Sequence, residues 1–559
     1  MTIRIDGKTY KTDEDLKVRA IGAVPRVGIR NRELKKYFRE HFGRTYLSGD
    51  EVLAYAQGLV SRNLRDLEAE ILKDIYGNES LQEIIQRKIG TSIGRGHALR
   101  LATLEFVING SKMIDSAFTG LCTSGTIITS GRRKKASIDD IIIPEGLRGN
   151  KNLIREYLEI TKDAILEIDR FKAELGKSDA VEALNKFLPY NGSADMIWMV
   201  PIDGLFAIAS EVEKDARRSE KLLPRELYSF VNMLEVLTDR EGVGALYRNR
   251  MCVPRITSAH YTVFTDPSNE RFAADFCGSL RPEIIDLKVQ YSRGLEVGLG
   301  NLRDLRETAL RENDPARLCA AAMNYTRAMQ EFVDSYNDAV RVQISDSLSW
   351  RVWGEQKRHA TLHQDVESIY SAADRASKRI KEMWESIDRV HTFNQRFSKP
   401  DLERIEEVVV IDHRVKNKPE LMNAYIYHSA RQLMFYEKIK QEADRRDALF
   451  IVPRNVRVST VETYDLANLI GLELPLRACK TCEPERYATT WAKIKLLKEA
   501  LPGFADFFVP KCSVGLCTEG KHCGHIESLR SGYDEAFHAK VNKARLQPAE
   551  QYSFGREED

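Results

Sequence analysis

Apolar residues recur along much of the chain at the three- and four-residue spacing of amphipathic helices. This periodicity predicts helices in the following segments: residues 1–90, 151–175, 180–187, 304–342 and 421–447. The pattern over 304–342 is interrupted once, at Asn313-Asp314-Pro315, where two polar residues and a proline favour a turn. The chain is therefore expected to be rich in helix.

Shorter stretches rich in β-branched and apolar residues predict strands between the helices. Residues 98–110 are of this kind and end at a turn signal, and residues 406–415 predict a second strand. Residues 459–470 mix the helical and the strand pattern. The glycine-bearing segment 294–301 predicts the boundary between two halves of the chain, because glycine weakens regular structure.

The composition is that of a soluble globular protein. The 559 residues are 43% hydrophobic and 30% charged, and no apolar run approaches the roughly 18–20 residues that span a bilayer. Lysine and arginine (85) nearly balance aspartate and glutamate (83), so no net field attracts nucleic acid or an anionic membrane. The first residues also lack the apolar core of a signal peptide. We therefore expect a cytoplasmic protein without a membrane or nucleic-acid partner.

The segment 349–368 brings cations, an imidazole, a carboxylate and hydroxyls into one short stretch. Its candidates are Arg358, His359, Thr361, His363, Asp365 and Ser368. Arginine offers a planar fork of donors that suits phosphate, and histidine can donate to a heterocycle or stack on it. The alternative interpretation is a solvated helix face whose two tryptophans are buried.

A second candidate is the basic segment 129–135, in which a hydroxyl and a glycine accompany four cations. Such a turn suits a phosphate group. The arginines of Arg248-Asn249-Arg250 belong to the same class. For both segments the alternative is a basic stretch that faces water.

The cysteines suggest a metal site near the end of the chain. Four scattered cysteines beside apolar residues are expected to be inert core side chains: Cys122, Cys252, Cys277 and Cys319. The other five fall within residues 479–523, and an odd number in an intracellular chain argues against a disulfide framework. The predicted ligands of a structural zinc ion are Cys512, Cys517, Cys523 and His525. Cys479 and Cys482 could supply alternative ligands, and an all-cysteine set would equally admit an iron–sulfur cluster.

Taken together, these segments resemble the flavin-dependent thymidylate synthase (ThyX) family, whose members carry the pattern R-H-R-x-x-S-x-N-E-x-S-x-R-Y. In the second half, Arg358 and His359 fall on the first two positions of that pattern. Ser368 matches its later serine. Arg477 lies in a stretch that resembles the L-R-x-x-x-x-A-Q-x-E-I segment of the family.

The first half resembles other parts of the same family pattern. His97 precedes a predicted strand, as a characteristic histidine does in the family. Ser130 and Arg132 fit its S-x-R element. Arg250 stands before Val-Pro and resembles the arginine of the A-R-x-x-L-P segment.

The resemblance covers about residues 90–300 and 315–510, so the chain resembles two fused and diverged copies. Each copy has lost family residues. Ala360 replaces the second arginine of R-H-R, Leu449 replaces the phosphate-binding arginine, and Gly120-Leu121-Cys122 occupies the R-H-R positions of the first copy. Because the retained residues complement one another, the resemblance implies one hybrid active site built from both halves.

The family resemblance implies a set of substrate-binding residues for a pyrimidine nucleotide. Arg132 and Arg250 would clamp the phosphate, and Ser130 would add a hydrogen bond. Gln356 and Ser368 complete the implied substrate-binding set. The substrate of the parent reaction is dUMP.

The resemblance also implies a flavin site and the residues of the chemical step. Arg358 and Arg477 would face the uracil ring, where a cation stabilises the negative charge that develops when C5 becomes nucleophilic. His97 and His359 would border the isoalloxazine of FAD, with Arg358 close to the same cofactor. His359 is also counted with the two arginines as a catalytic candidate.

The implied reaction is C5 methylation of dUMP to dTMP by a homodimeric enzyme. Methylenetetrahydrofolate supplies the one-carbon unit, and reduced FAD supplies a hydride that comes from NADPH. Two alternatives stay open at this point. The chain could be a nucleotide-binding pseudoenzyme, or a binding module organised around the predicted metal site.

The fold class implied by the resemblance is α/β (α+β), with two tandem domains that each contain a twisted mixed sheet flanked by helices. The expected domains are a helical extension over 1–90, ThyX-like domains over 91–300 and 301–510, and a Cys-rich tail over 511–559.

Overall fold

The computed structural model describes these residues: 2–56, 67–77, 80–92, 102–120, 124–128, 135–252, 262–266, 280–358, 361–520 and 522–546. They belong to two compact units, each assembled from separate stretches of the chain. Unit 1 consists of Met1–Ala274, Ser349–Ala360 and Val366–Val458, and unit 2 of Asp275–Leu348, Thr361–Asp365 and Ser459–Asp559. Unit 1 therefore combines residues from both of the predicted halves.

The fold is a mixed α/β arrangement with several small sheets and many helices. The strands are Thr2–Ile5 (β1), Lys8–Thr12 (β2), Lys17–Val24 (β3), Val27–Gly28 (β4), Tyr46–Leu47 (β5), Thr103–Ser111 (β6), Gly125–Ile128 (β7), Ile142–Ile143 (β8), Ser193–Pro201 (β9), Glu283–Val289 (β10), Val340–Ser349 (β11), His363–Val366 (β12) and Arg457–Asp465 (β13). The helices of the first part of the chain are Arg32–Phe42 (α1), Gly49–Ala56 (α2), Leu67–Tyr76 (α3), Leu81–Ser92 (α4), Met113–Phe118 (α5), Lys151–Leu166 (α6), Ile168–Leu175 (α7), Lys177–Phe187 (α8), Ile202–Ala216 (α9), Arg225–Arg240 (α10) and Gly244–Arg248 (α11). The later helices are Arg293–Arg311 (α12), Pro315–Tyr336 (α13), Trp350–Gln356 (α14), Ile369–Thr392 (α15), Lys399–Glu406 (α16), His413–Lys416 (α17), Pro419–Glu442 (α18), Arg445–Ala448 (α19), Glu473–Arg477 (α20), Pro484–Ala500 (α21), His525–Leu529 (α22) and Glu535–Leu546 (α23). Among the helices in the described ranges, none combines the length and the apolar character needed to cross a bilayer.

The main sheet of unit 1 has the strand order β3-β6-β9-β7, and all of its neighbouring strands are antiparallel. Buried and exposed residues alternate along β9, so one face of the sheet contributes Trp198 to the core. The Trp198 ring packs against Phe118 and Phe230, with ring centroids 5.5 and 5.6 Å away. These contacts join the sheet to α5 and α10.

The beginning of the chain corrects the prediction of a helical segment over 1–90. Its first 28 residues contain the four strands β1–β4, and helices occupy only the later part, from α1 onward. Exposed and buried positions alternate along β1, which is the two-residue period of a strand. Strand β3 pairs with β6, so this part of the chain belongs to the main sheet of unit 1.

Most other predicted elements are present. The helices expected over 151–175 and 180–187 are α6–α8, those over 304–342 are α12 and α13, and the helix over 421–447 is α18. The strand expected over 98–110 is β6. The mixed pattern of 459–470 also has a structural counterpart, because β13 is followed directly by a π-helical turn, Ala467–Gly471.

The strand predicted over 406–415 is wrong. Within this segment Val409 forms only an isolated β-bridge to Val456. The apolar side chains of the segment are buried, which explains the strand-like pattern. The helix α17 begins inside it, where the Asp412 carboxylate caps the first turn and forms a buried ion pair with Lys186 at 3.3 Å.

Unit 2 contains a four-stranded sheet of order β10-β11-β13-β12, with β10 antiparallel to β11. Its apolar core combines side chains from this sheet with others from α12, α20 and α21. Core members include Leu295, Val342, Leu474, Leu497 and Phe504, all of them buried. A smaller separate cluster contains Cys512 and Cys517.

The glycines of the predicted boundary segment 294–301 lie inside the continuous helix α12. A Cβ atom at Gly298 would stand 2.5 Å from Cδ2 of Phe332 on α13, and one at Gly294 would collide with the hydroxyl of Tyr336. These two glycines therefore let α12 and α13 pack closely.

Candidate functional site

Helix α14 carries Gln356 at its C-terminal end, and Arg358 follows two residues later. The helix starts at a serine cap, because Ser349 Oγ accepts a hydrogen bond from the Val352 N–H at 3.3 Å. Its two tryptophans are completely buried, but so are Arg351 and Gln356, so the interpretation as a solvated helix face is not supported. The C-terminal end, however, meets a polar cluster in unit 1.

The centre of this cluster is a side-on ion pair between Arg358 and Asp115. Arg358 Nε donates to Asp115 Oδ1 at 3.2 Å, and Arg358 Nη2 donates to Asp115 Oδ2 at 2.5 Å. The remaining nitrogen, Nη1, has no hydrogen-bond partner among the described residues. The arginine side chain is 29% exposed, so this third nitrogen can bind an acceptor from outside.

Lys357 also connects the end of α14 to α5. Its ammonium is completely buried and donates to the backbone carbonyl of Asp115 at 2.6 Å. It also lies 5.1 Å from the centre of the Trp353 ring. Burial lowers the pKa of Lys357 to about 7, opposed by the Asp115 carboxylate and assisted by the Arg358 charge.

Tyr190 and Arg454 lie on the inner side of the cluster. The Arg454 guanidinium is buried, lies 5.7 Å from the Tyr190 ring and donates to the carbonyl of Leu188 at 2.9 Å. Burial lowers the pKa of Arg454 to about 10, so it remains a cation at neutral pH. A Cβ atom at Gly354 would lie 3.7 Å from the Tyr190 hydroxyl and 3.9 Å from Asp115 Oδ2, which places both groups against α14.

We refer to these residues as the Asp115 cluster: Asp115, Tyr190, Lys357, Arg358 and Arg454. Of its members, sequence reasoning found only Arg358. Lys357 and Arg454 each stood beside a motif residue, but Asp115 lies 243 residues from Arg358 and no local signal connects them.

The two predicted substrate-binding residues near this cluster are both buried. Gln356 is 1% exposed. Ser368 Oγ donates to the Thr265 carbonyl at 2.7 Å and accepts from the Tyr370 N–H at 3.3 Å, as the cap of α15. The Ser368 hydroxyl therefore already has structural partners, and its contact with substrate stays a prediction.

Arg250 has a carboxylate of its own in unit 1. Arg250 Nη2 donates to Glu213 Oε1 at 3.2 Å, and the guanidinium stacks 4.6 Å from the Tyr247 ring. Its neighbours Arg248 and Asn249 line a cleft of about 1020 Å³ beside α2, α4 and α10. The structure thus gives Arg250 a different acidic partner from that of Arg358.

Arg477, the other arginine predicted to face uracil, lies in unit 2. Arg477 Nε donates to Glu473 Oε1 at 2.7 Å within α20, and the Glu473 side chain is almost completely buried. The Arg477 side chain itself is 12% exposed. The two arginines predicted to face uracil are therefore each oriented by a carboxylate. Asp115 orients Arg358 within unit 1, and Glu473 orients Arg477 within unit 2.

A zinc site is not supported. Among the residues that the structure describes, no three histidine, cysteine, aspartate or glutamate side chains are placed to hold a metal ion. Cys512 and Cys517 are instead buried in a small apolar cluster with Leu318 and Ile526. Burial and the neighbouring cysteines raise the pKa of Cys512 to about 12.

The remaining cysteine candidates lie near Cys512 in unit 2, because Cys479 and Cys523 are among the groups that raise its pKa. Cys479 Sγ lies 3.2 Å from the hydroxyl of Thr481. Cys523 is half-buried, and the His525 ring lies 6.5 Å from the Trp491 ring. The prediction of Cys512, Cys517, Cys523 and His525 as a metal-binding set is therefore not supported by the described residues.

Four predicted site residues lie outside the described residues: His97, Ser130, Arg132 and His359. The implied phosphate and flavin contacts of these residues therefore remain predictions.

Comparison with known proteins finds a partial likeness, and no family model matches the chain. A flavin-dependent thymidylate synthase of Thermococcus onnurineus (strain NA1) is 30% identical over 142 residues, which are 24% of this chain. The aligned part spans 58% of that enzyme. The UMP/dUMP methylase PolB from Streptomyces cacaoi, solved with 5-Br dUMP, aligns with 44% of this chain and 99% of its own at 12% identity. Its TM-score of 0.31 is too low to support a fold assignment. The chain is thus similar to a flavin-dependent thymidylate synthase over part of its length.

Proposed function

We propose that this protein is a flavin-dependent enzyme that methylates C5 of a pyrimidine nucleotide, with dUMP as the first substrate to test. The partial sequence likeness to a flavin-dependent thymidylate synthase supports this activity. The observation that carries it is the arrangement of Arg358, whose Nη1 has no hydrogen-bond partner among the described residues while Asp115 holds the rest of the guanidinium.

In this proposal Arg358 binds a carbonyl oxygen of the uracil ring through Nη1. A guanidinium there stabilises the negative charge that reaches the oxygen when C5 attacks an electrophile. Arg477, which Glu473 orients within α20, is proposed to have the same role. Arg132 and Arg250, with Ser130, bind the nucleotide phosphate.

The proposed cofactor is FAD, with methylenetetrahydrofolate as the one-carbon donor and NADPH as the reductant. Reduced FAD supplies the hydride when bound. The donors of this chain suit such an oxygen-rich group. Arg358 Nη1, which has no hydrogen-bond partner among the described residues, is such a donor. His97 and His359 are proposed to border the flavin.

We also propose that one active site combines residues of both sequence halves and that the protein is a homodimer. The pair formed by Asp115 and Arg358 supports the first idea, because its members come from the two predicted copies. Mixing an R250A variant with an R358A variant tests where the site is assembled. Recovered activity would indicate a site shared between two chains, and no recovery would indicate a site within one chain.

The direct test measures tritium release from [5-³H]dUMP in the presence of methylenetetrahydrofolate, NADPH and added FAD. Arg358→Ala is expected to lower kcat/KM by about 100-fold or more, as for loss of a donor that stabilises developing charge. The matched control is Arg155→Ala, because Arg155 forms the same side-on pair with exposed Asp6 and is expected to be dispensable.

The outcome also separates the proposal from the alternatives. Binding of dUMP without tritium release or flavin absorbance would favour a nucleotide-binding pseudoenzyme. Absence of both dUMP binding and flavin would refute the proposed enzyme. Localisation in the cytoplasm remains a prediction that fractionation of cells can check.

A further inference from the structure

Asp115 is the one carboxylate that contacts Arg358 among the described residues, and its geometry is specific. The two oxygens bind Nε and Nη2, which fixes the plane of the guanidinium and the direction of the third nitrogen. A lysine at position 358 could not be held in this way, because an ammonium has no planar fork.

The backbone of Asp115 is held as firmly as its side chain. Its carbonyl oxygen accepts from Lys357 Nζ at 2.6 Å and from Thr119 Oγ1 at 2.6 Å. The Thr119 hydroxyl also lies 3.3 Å from Asp115 Oδ1. Consecutive residues after α14 thus bind the backbone and the carboxylate of the same residue on α5.

Lys357 does not compete for the carboxylate. Its ammonium is directed to the carbonyl oxygen, and burial favours its neutral form near pH 7. The Asp115 carboxylate therefore remains fully engaged with Arg358. The exposed fraction of this pair is 29% for the arginine and 18% for the aspartate, so the pair lies at the edge of the buried cluster.

We propose that Asp115 is a positioning residue that orients Arg358 so that Nη1 faces the pyrimidine of the nucleotide. Lys357 anchors the backbone of Asp115 in this arrangement. This inference rests on the proposed function, and it assigns a role to a residue that no family motif includes. It also predicts that substrate binding depends on a carboxylate that never touches the substrate.

The test uses the full chain with Asp115→Asn, which keeps the shape and removes the charge. The expected result is an increase of about 10-fold or more in the Kd for dUMP by calorimetry. Asp115→Glu retains the charge and is expected to recover part of the affinity. The matched control is Asp6→Asn, which removes the charge from the equivalent exposed pair with Arg155 and should leave the Kd unchanged.

A second readout reports the ion pair itself, independently of any nucleotide. Phenylglyoxal modifies accessible arginines, and peptide mass spectrometry gives the rate at Arg358. Asp115→Asn is expected to raise this rate at least 3-fold, while Asp6→Asn raises the rate at Arg155 only. Circular dichroism and the thermal midpoint confirm that both variants are folded.

The possible results distinguish the two proposals. If the unmodified protein binds dUMP and Asp115→Asn changes neither the Kd nor the modification rate, the positioning role is wrong and the proposed function stands. If the modification rate rises but dUMP affinity is unaltered, Asp115 holds Arg358 without serving substrate binding, which also overturns the inference. If the unmodified protein neither binds nor methylates dUMP, the proposed function fails first, and the positioning role for a nucleotide fails with it.

Discussion

Lys493 and Glu462 are both completely buried in unit 2, and the Lys493 ammonium donates to Glu462 Oε2 at 2.6 Å. The same ammonium lies 2.6 Å from Asp346 Oδ2, and Arg486 Nη1 lies 3.1 Å from Glu462 Oε1. Burial by itself would raise the pKa of Glu462, but Arg486 and Lys493 outweigh it and hold this pKa far below its ordinary value. These four side chains form a neutral ionic network between α21 and the strands β11 and β13.

Lys493→Met is expected to lower the free energy of unfolding by about 3–5 kcal/mol, because it leaves two buried carboxylates with Arg486 as their one cation in this network. Denaturation with urea measures this change. The control is Lys495→Met on the same helix, where the side chain is exposed and the expected change is within about 0.5 kcal/mol. Equal stability of the two variants would show that the buried network contributes nothing net.

This network shows why part of the fold was not predictable from the sequence. Arg486 and Lys493 lie seven residues apart on α21, a spacing that puts both on one face of a helix. A charged helix face is normally solvated, so this spacing alone would favour an exposed surface. Only the strands that bring Asp346 and Glu462 to that face make burial of the cations possible.

Only part of the candidate site could be predicted from the sequence. Motif spacing suggested Arg358, because Arg358 and His359 resemble the first two positions of the family pattern. Asp115 could not be found in this way, since it lies 243 residues earlier and becomes a neighbour only when α5 meets the end of α14. The N-terminal strands were missed for a related reason, because β3 is stabilised by pairing with the distant β6.

Gly298→Ala and Gly300→Ala test the packing of α12 against α13. A Cβ at Gly298 would overlap the Phe332 ring, whereas a Cβ at Gly300 meets no atom within 4 Å. Gly298→Ala is therefore expected to destabilise unit 2 by about 1–3 kcal/mol through overpacking. Gly300→Ala should stabilise it by about 0.5–1 kcal/mol, because alanine favours helix. Thermal unfolding of both variants measures the difference, and a stabilising effect at both positions would contradict the close helix contact.

Glu226 is expected to make the stability of unit 1 fall as pH rises. It is completely buried and accepts hydrogen bonds from the backbone N–H and the hydroxyl of Ser111, at 2.6 and 2.7 Å. Burial raises the pKa of Glu226 to about 8, against about 4.3 in an unfolded chain. The folded state thus binds the extra proton between these values, and stability is lost as pH rises through the folded pKa.

Glu226→Gln removes this titration and keeps the acceptor for Ser111. The stability of the variant relative to the unmodified protein is therefore expected to increase from pH 5 to pH 8. Urea midpoints of both proteins at the two pH values measure this difference in stability. Because the other titrating groups are the same in both proteins, their contributions cancel in the difference. A constant difference across this range would mean that Glu226 ionises normally in the folded protein.

Lys357 is expected to have the opposite pH dependence. Its pKa is about 7 in the folded protein, because burial disfavours the charged amine, and about 10.4 in an unfolded chain. Between these values the unfolded state binds more protons, so stability rises with pH by at most about 1.4 kcal/mol per pH unit. Lys357→Met lacks the titrating amine and should lose stability relative to the unmodified protein as the pH increases from 7 to 9. Urea denaturation of both proteins at pH 7, 8 and 9 provides the measurement. If the two proteins kept a constant difference, the Lys357 amine would be charged in the folded protein throughout this pH range.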